Sequence, residues 1–121
     1  MTDIEFRTAL KDRTKKFALR IIRLSQSLPK STAAYIIGKQ IFRAGTSVAA
    51  NYRAACRARS NAEFHSKISI VIEEADETLF WLELLQESGI VKPELLTDLY
   101  QENEEILKIV NTARKNSKKC N

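Results

Sequence analysis

Apolar side chains recur along this chain every three or four residues in four separate blocks, with polar residues filling the positions between them. In the first block Phe6, Leu10, Phe17, Ile21, Leu24 and Leu28 stand three, four or seven apart, the pattern of one buried face on a helix. The second block repeats it with Ile37, Ile41, Ala44, Val48, Tyr52 and Ala55, flanked on one side by Gly38, Gly45, Ala49 and Cys56. The third gives Phe64, Ile68, Val71, Ala75, Leu79 and Leu82, and the fourth Leu95, Leu99, Ile106, Val110 and Ala113. Strict alternation, the signature of a half-buried strand, is missing throughout.

Punctuation between the blocks agrees. Thr2 or Asp3 is placed to cap the first helix, and Leu28-Pro29 ends it because proline disfavours helical geometry in the residue before it. Ser31 or Thr32 caps the second. Ser60-Asn61-Ala62-Glu63 reads as a capping box, Gly89 as a C-terminal stop, and Pro93 as a first-turn residue. The predicted helices cover about 3–28, 32–57, 61–88 and 93–114. Residues 1–115 are thus expected to form one all-α domain, an antiparallel up-down-up-down four-helix bundle, with 116–121 a basic tail that frays. A glycine inside a helix costs about 1 kcal/mol against alanine. Gly38 and Gly45, seven residues apart, therefore predict a close approach of another backbone.

The third helix carries more apolar surface than one core needs. Ile70, Phe80, Trp81 and Leu84 form a second apolar face in its C-terminal part, which predicts a subunit interface and a homo-oligomer.

Charge changes the picture most. The net balance is +5, but residues 31–60 hold five Lys/Arg and no acid, whereas residues 61–90 hold one Lys against seven acids. On the second helix Lys39, Arg43, Arg53 and Arg57 fall within an arc of roughly 80° at 100° per residue. Such a stripe faces phosphate, carboxylate or water. Lys39, Arg43, Arg53, Arg57 and Arg59 are the leading candidates for phosphate contact, with Lys15, Lys16 and Arg20 on the first helix secondary. A rival set of partners lies on the third helix, where Glu74 and Glu77 share a face and would pair with the stripe within or between subunits.

Other chemistry finds little footing. A di-iron bundle needs Glu-x-x-His on two helices, yet His65 is the one histidine and residue 62 is Ala. There is no glycine-rich phosphate loop, and Ser47 and Cys56 have no histidine within helical reach. No enzyme activity, metal or cofactor is expected. Cys56 and Cys120 lack a metal or redox spacing and read as reduced thiols. No run approaches the roughly 18 apolar residues of a membrane span, and Met1-Thr-Asp-Ile-Glu does not start a signal peptide. A cytoplasmic location and no membrane partner are expected.

Several stretches together resemble a known family. Leu28-Pro29, the run Phe42-Arg43-Ala44-Gly45-Thr46-Ser47-Val48-Ala49-Ala50-Asn51-Tyr52-Arg53-Ala54-Ala55, then Arg57-x-Arg59-Ser60-x-x-Glu63-Phe64 are similar to the four-helix bundle proteins encoded in 23S ribosomal RNA intervening sequences. So is Glu73-Glu74-Ala75-Asp76-Glu77-Thr78-Leu79-Phe80-Trp81-Leu82-Glu83, and the match runs from about Phe6 to Val110. The resemblance implies an antiparallel bundle assembling into a ring, typically a homopentamer. It also implies kinship with the accessory variability protein of diversity-generating retroelements, a basic barrel that works with a reverse transcriptase and nucleic acid. Many members have Asn-x-Ala-Glu-Gly where this chain has Asn51-Tyr52-Arg53-Ala54-Ala55, so an acid is replaced by the cation Arg53.

Charge and resemblance together lead to a non-enzymatic oligomeric bundle that binds RNA or another nucleic acid through its basic surface. The alternative is a scaffold whose ring recruits a protein such as a reverse transcriptase, with the stripe used in subunit salt bridges.

Overall fold

The stripes do fold as helices. The computed structural model describes residues 2–119, with side chains through Ser117, and contains α1 (Asp3–Ser27), α2 (Thr32–Cys56), α3 (Asn61–Glu87) and α4 (Pro93–Lys119). Cys120, one of the two expected thiols, lies outside the described residues.

Local chemistry sets the ends. Thr2 Oγ1 accepts from Glu5 N at 3.1 Å while Glu5 accepts from Thr2 N at 3.2 Å, a reciprocal capping box. Ser31 caps α2 through Ala34 N, and Ser60 caps α3 through Glu63 N, both at 3.1 Å. The box expected at Ser60 is half made, because the Glu63 carboxylate sits 3.6 Å from Arg59 Nε instead. Gly89, just past α3, adopts φ +78, a left-handed turn that only glycine enters without penalty. α4 continues through 116–119, where the basic composition predicts a tail, and Ser117 is buried on it.

Each helix packs against its neighbours in sequence, and a sparser α1–α4 contact completes the bundle. One core runs through it, from Leu10, Phe17 and Ile21 across Ile41, Val48 and Tyr52 to Val71, Leu82, Ile106 and Val110. A Cβ placed on Gly45 would lie 2.8 Å from Ile21 Cγ2, and one on Gly38 3.1 Å from Leu28 Cδ1. A side chain at either glycine would run into α1 or the residue that caps it.

Polar residues complete the stripes that hydrophobicity alone left broken. Thr14, Thr78 and Asn103 are fully buried. The threonines donate to carbonyls of their own helices, Lys11 O and Glu74 O. Asn103 Nδ2 crosses to Ala75 O at 3.2 Å, whereas its Oδ1 meets no donor. On α4 the buried face is Leu96, Leu99, Asn103, Ile106 and Val110; Leu95, expected in the core, is 69% exposed, in the first turn of the helix and about 60° from the centre of that face. Phe6, also expected inside, is 42% exposed one turn from the start of α1.

Candidate nucleic-acid interface

Which side chain a cation meets decides whether it is available to a ligand. Arg43, halfway along α2, turns toward α3. Its Nη1 donates to Glu74 Oε2 at 2.8 Å and its Nη2 to Glu77 Oε2, so one guanidinium bridges two carboxylates a helical turn apart. Glu77 also accepts from Trp81 Nε1 at 3.3 Å. Burial of the guanidinium opposes its charge, but the hydrogen bonds and fields of Glu74 and Glu77 outweigh that and hold its pKa above the ordinary value.

Two other cations are also paired. Lys16 meets Asp12 at 2.9 Å on the same helix, and Arg59 meets Glu63 as described. Arg13, not among the expected site residues, makes the strongest pair: Nε and Nη2 each lie 2.7 Å from Glu102 oxygens, and Glu105 is 3.1 Å from Nη2. Its fork ties α1 to α4 and belongs to the structure.

Lys15, Arg20, Lys39, Arg53 and Arg57 form no ion pair among the described residues. Lys15 and Arg53 come together. With Lys11 and Thr8 they line a cleft of about 490 Å³ between α1 and α2, over Ala49 and Ala50, which are too short to fill it. Asp12, also on the cleft wall, is the partner of Lys16. Lys11 was legible as one cation among many on the polar side of α1. Only the pairing of α1 with α2 marks it as a neighbour of Arg53. Lys39 sits elsewhere on α2, its Nζ 5.3 Å from the Tyr35 ring centroid. Arg57, the C-cap of α2, and Arg20, half-buried on α1, lie outside the cleft.

The apolar face of α3 divides. Ile70, Trp81 and Leu84 are half-buried, and Phe80 is 49% exposed, edge-on to Trp81 with centroids 5.0 Å apart. Two phenols are perturbed. Burial, reinforced by Cys56, pushes the Tyr52 hydroxyl well up, and burial followed by the 3.2 Å bond to Glu83 raises Tyr100. Among the described residues no group of three or more His, Cys, Asp or Glu is arranged to hold a metal, and no helix is long and apolar enough to cross a membrane.

Comparison with known proteins places this geometry in a family context. Residues 8–112 match the 23S rRNA-intervening sequence protein family. The chain is similar to a solved protein from Bacteroides thetaiotaomicron, described as of unknown function and from the S23 ribosomal protein family. The two share 36% identity over 90% of this chain and 97% of that one, with a TM-score of 0.84. No curated protein matches. With a profile match across most of its length and a shared four-helix fold, the chain belongs to the 23S rRNA-intervening sequence protein family.

Proposed function

We propose that this protein binds the phosphate backbone of RNA or another nucleic acid through the cationic α1–α2 cleft, without catalysing a reaction, in the cytoplasm. The observation that carries the reading is Lys11, Lys15 and Arg53 lining one cleft with no acid paired to any of them among the described residues. Like charges held together repel, and a polyanion relieves that repulsion while releasing its own counterions. Arg57 and Arg59, close in sequence to Arg53 at the end of α2, would extend the track, whereas Arg43 takes no part because Glu74 and Glu77 hold it.

The assembled form in this reading is a ring, a homopentamer by family resemblance, of up-down-up-down antiparallel bundles. Contacts between α3 and α4 support the antiparallel order: Tyr100, Asn103 and Arg114 meet Glu83, Ala75 and Ser69, so one number rises as the other falls. Exposed Phe80 against Trp81 supports a subunit contact on α3. The same face favours a second reading, a scaffold that recruits a protein partner such as the reverse transcriptase served by accessory variability proteins.

Anisotropy titration of a labelled structured RNA across a salt series separates the two. For the first reading log affinity falls linearly with log salt, and Arg53→Glu with Arg57→Glu flattens the slope by about 0.7–0.9 for each phosphate no longer neutralised. Absence of binding at low salt overturns it and leaves the scaffold.

A further inference from the structure

A second groove lies farther along the same α1–α2 seam, and its chemistry differs from that of the cleft. It encloses about 890 Å³ beside the turn that joins the two helices, among Leu28, Pro29, Tyr35, Gly38 and Phe42. Lys30 and Lys39 are its charged residues, and no acid lines it. Two aromatic rings stand open to solvent there, Tyr35 at 66% exposure and Phe42 at 43%. Seven residues apart on one helix, they fall within about 20° of each other and about 10 Å apart along the axis. Lys39 lies between them in sequence, its ammonium over the Tyr35 ring. Isolated apolar side chains on a surface need no explanation, but two flat rings on one side of a helix with cations at hand and no acid are a recognisable chemistry.

We propose that this groove takes unpaired bases of a single-stranded nucleic acid, which stack on Tyr35 and Phe42 while Lys30 and Lys39 meet the adjoining phosphates. The inference rests on the nucleic-acid reading of the cleft and adds to it the kind of strand. Stacking on an exposed ring needs a free base face; inside a duplex both faces are covered by neighbouring pairs. The groove also serves every base alike, since each has a π-face, so the expected preference is for strandedness rather than sequence. Lys39 would leave the Tyr35 ring for phosphate, a small movement at the end of a flexible side chain. Charge complementarity selects an anion for this surface. The rings stand singly around a lysine, where an amphipathic protein helix would want one continuous apolar strip.

The test uses the full chain, a short fluorescein-labelled oligouridine strand and an RNA duplex of equal length. Wild type should bind the single strand more tightly at low salt. Tyr35→Ala with Phe42→Ala should weaken single-strand binding by about tenfold or more and leave duplex binding unchanged. Tyr35→Phe should retain it. Circular dichroism checks the fold of variants at these exposed positions. Equal affinity for both RNAs, with no effect of the double substitution, overturns the inference while the cleft reading stands. Failure of both RNAs to bind at low salt removes both. A change in sedimentation mass on the double substitution overturns it too, since the rings would then be a subunit contact. Displacement of the strand by an acidic amphipathic peptide whose binding needs the same rings overturns it in favour of a protein partner.

Discussion

Gly45→Ala and Gly38→Ala should shift stability in opposite directions, though both replace a buried glycine in the middle of α2 with a better helix former. The helical term is common to both and favours alanine by about 1 kcal/mol. What differs is the neighbour. At Gly45 the new Cβ would meet Ile21 Cγ2, Cγ1 and Cβ at 2.8, 2.9 and 3.1 Å. Ile21 is wholly buried and β-branched, so it has no free rotamer to turn into, and the helices must part. Overpacking costs about 1–3 kcal/mol, and with two contacts under 3.0 Å to a side chain that cannot turn away the upper half of that range applies, which leaves Gly45→Ala less stable by about 1–2 kcal/mol. At Gly38 the sole close neighbour is Leu28 Cδ1 at 3.1 Å, the tip of a flexible, half-buried side chain beside an open groove. It can swing aside, and Gly38→Ala should gain up to about 1 kcal/mol. Urea unfolding followed by circular dichroism reads both as shifts in midpoint at constant slope. A further variant isolates the clash. Ile21→Ala alone should cost about 2–5 kcal/mol, but adding Gly45→Ala to it should cost nothing more, a favourable coupling between contacting sites. Gly45→Ala as stable as wild type, or a strictly additive double variant, would refute the argument that steric contact with Ile21 keeps residue 45 a glycine.

Asn103→Leu should hold stability or raise it by about 1 kcal/mol in urea unfolding, because it removes an unsatisfied buried acceptor at the expense of one hydrogen bond to Ala75. Asn103→Asp should destabilise by several kcal/mol at neutral pH and recover as acid protonates the carboxyl, which a pH series of midpoints would reveal. Tyr52 and Tyr100 are both raised by burial, so their contribution is complete below the ordinary phenol value near 10 and is lost as pH rises through their folded values. Alkaline unfolding with a concurrent phenolate absorbance change should follow, and Tyr52→Phe should move its midpoint upward. Arg53→Ala should leave stability unchanged or slightly higher at low salt while lowering RNA affinity; a loss above about 1 kcal/mol would mean that Arg53 has a structural partner.

Most of the fold was legible because periodicity and caps agree. The four helix starts follow from Thr2, Ser31, Ser60 and Pro93, and the close approach of α1 to α2 from two glycines set a heptad apart. What escaped was polar. The face of α4 runs Leu96, Leu99, Asn103, Ile106, Val110; reading only apolar residues leaves a gap at 103, and Leu95 then passes for the start of the stripe. Thr14 and Thr78 vanish from α1 and α3 likewise, since a threonine that bonds its own helix carbonyl is buried at little cost and hydrophobic pattern does not register it.

The cations show a different limit. Arg43, Arg53 and Arg57 lie in one narrow arc of α2, so position along the stripe cannot tell them apart. Their neighbours can. Arg43 leans toward α3, where helical spacing places Glu74 and Glu77 together, and its charge is met within the chain. Arg53 leans toward α1, where the cations Lys11 and Lys15 line the same cleft and the acid beside them, Asp12, is taken by Lys16. The same residue type on the same helix is therefore a structural tie in one place and an unanswered charge in another. Folding satisfies the first and works against the second. Surface charge left in mutual repulsion is a small but persistent cost, relieved by whatever anion the molecule meets. A heptad pattern fixes where each side chain points around its own helix, but the sign of the charge opposite depends on which helix becomes the neighbour, and that is settled only by the packing.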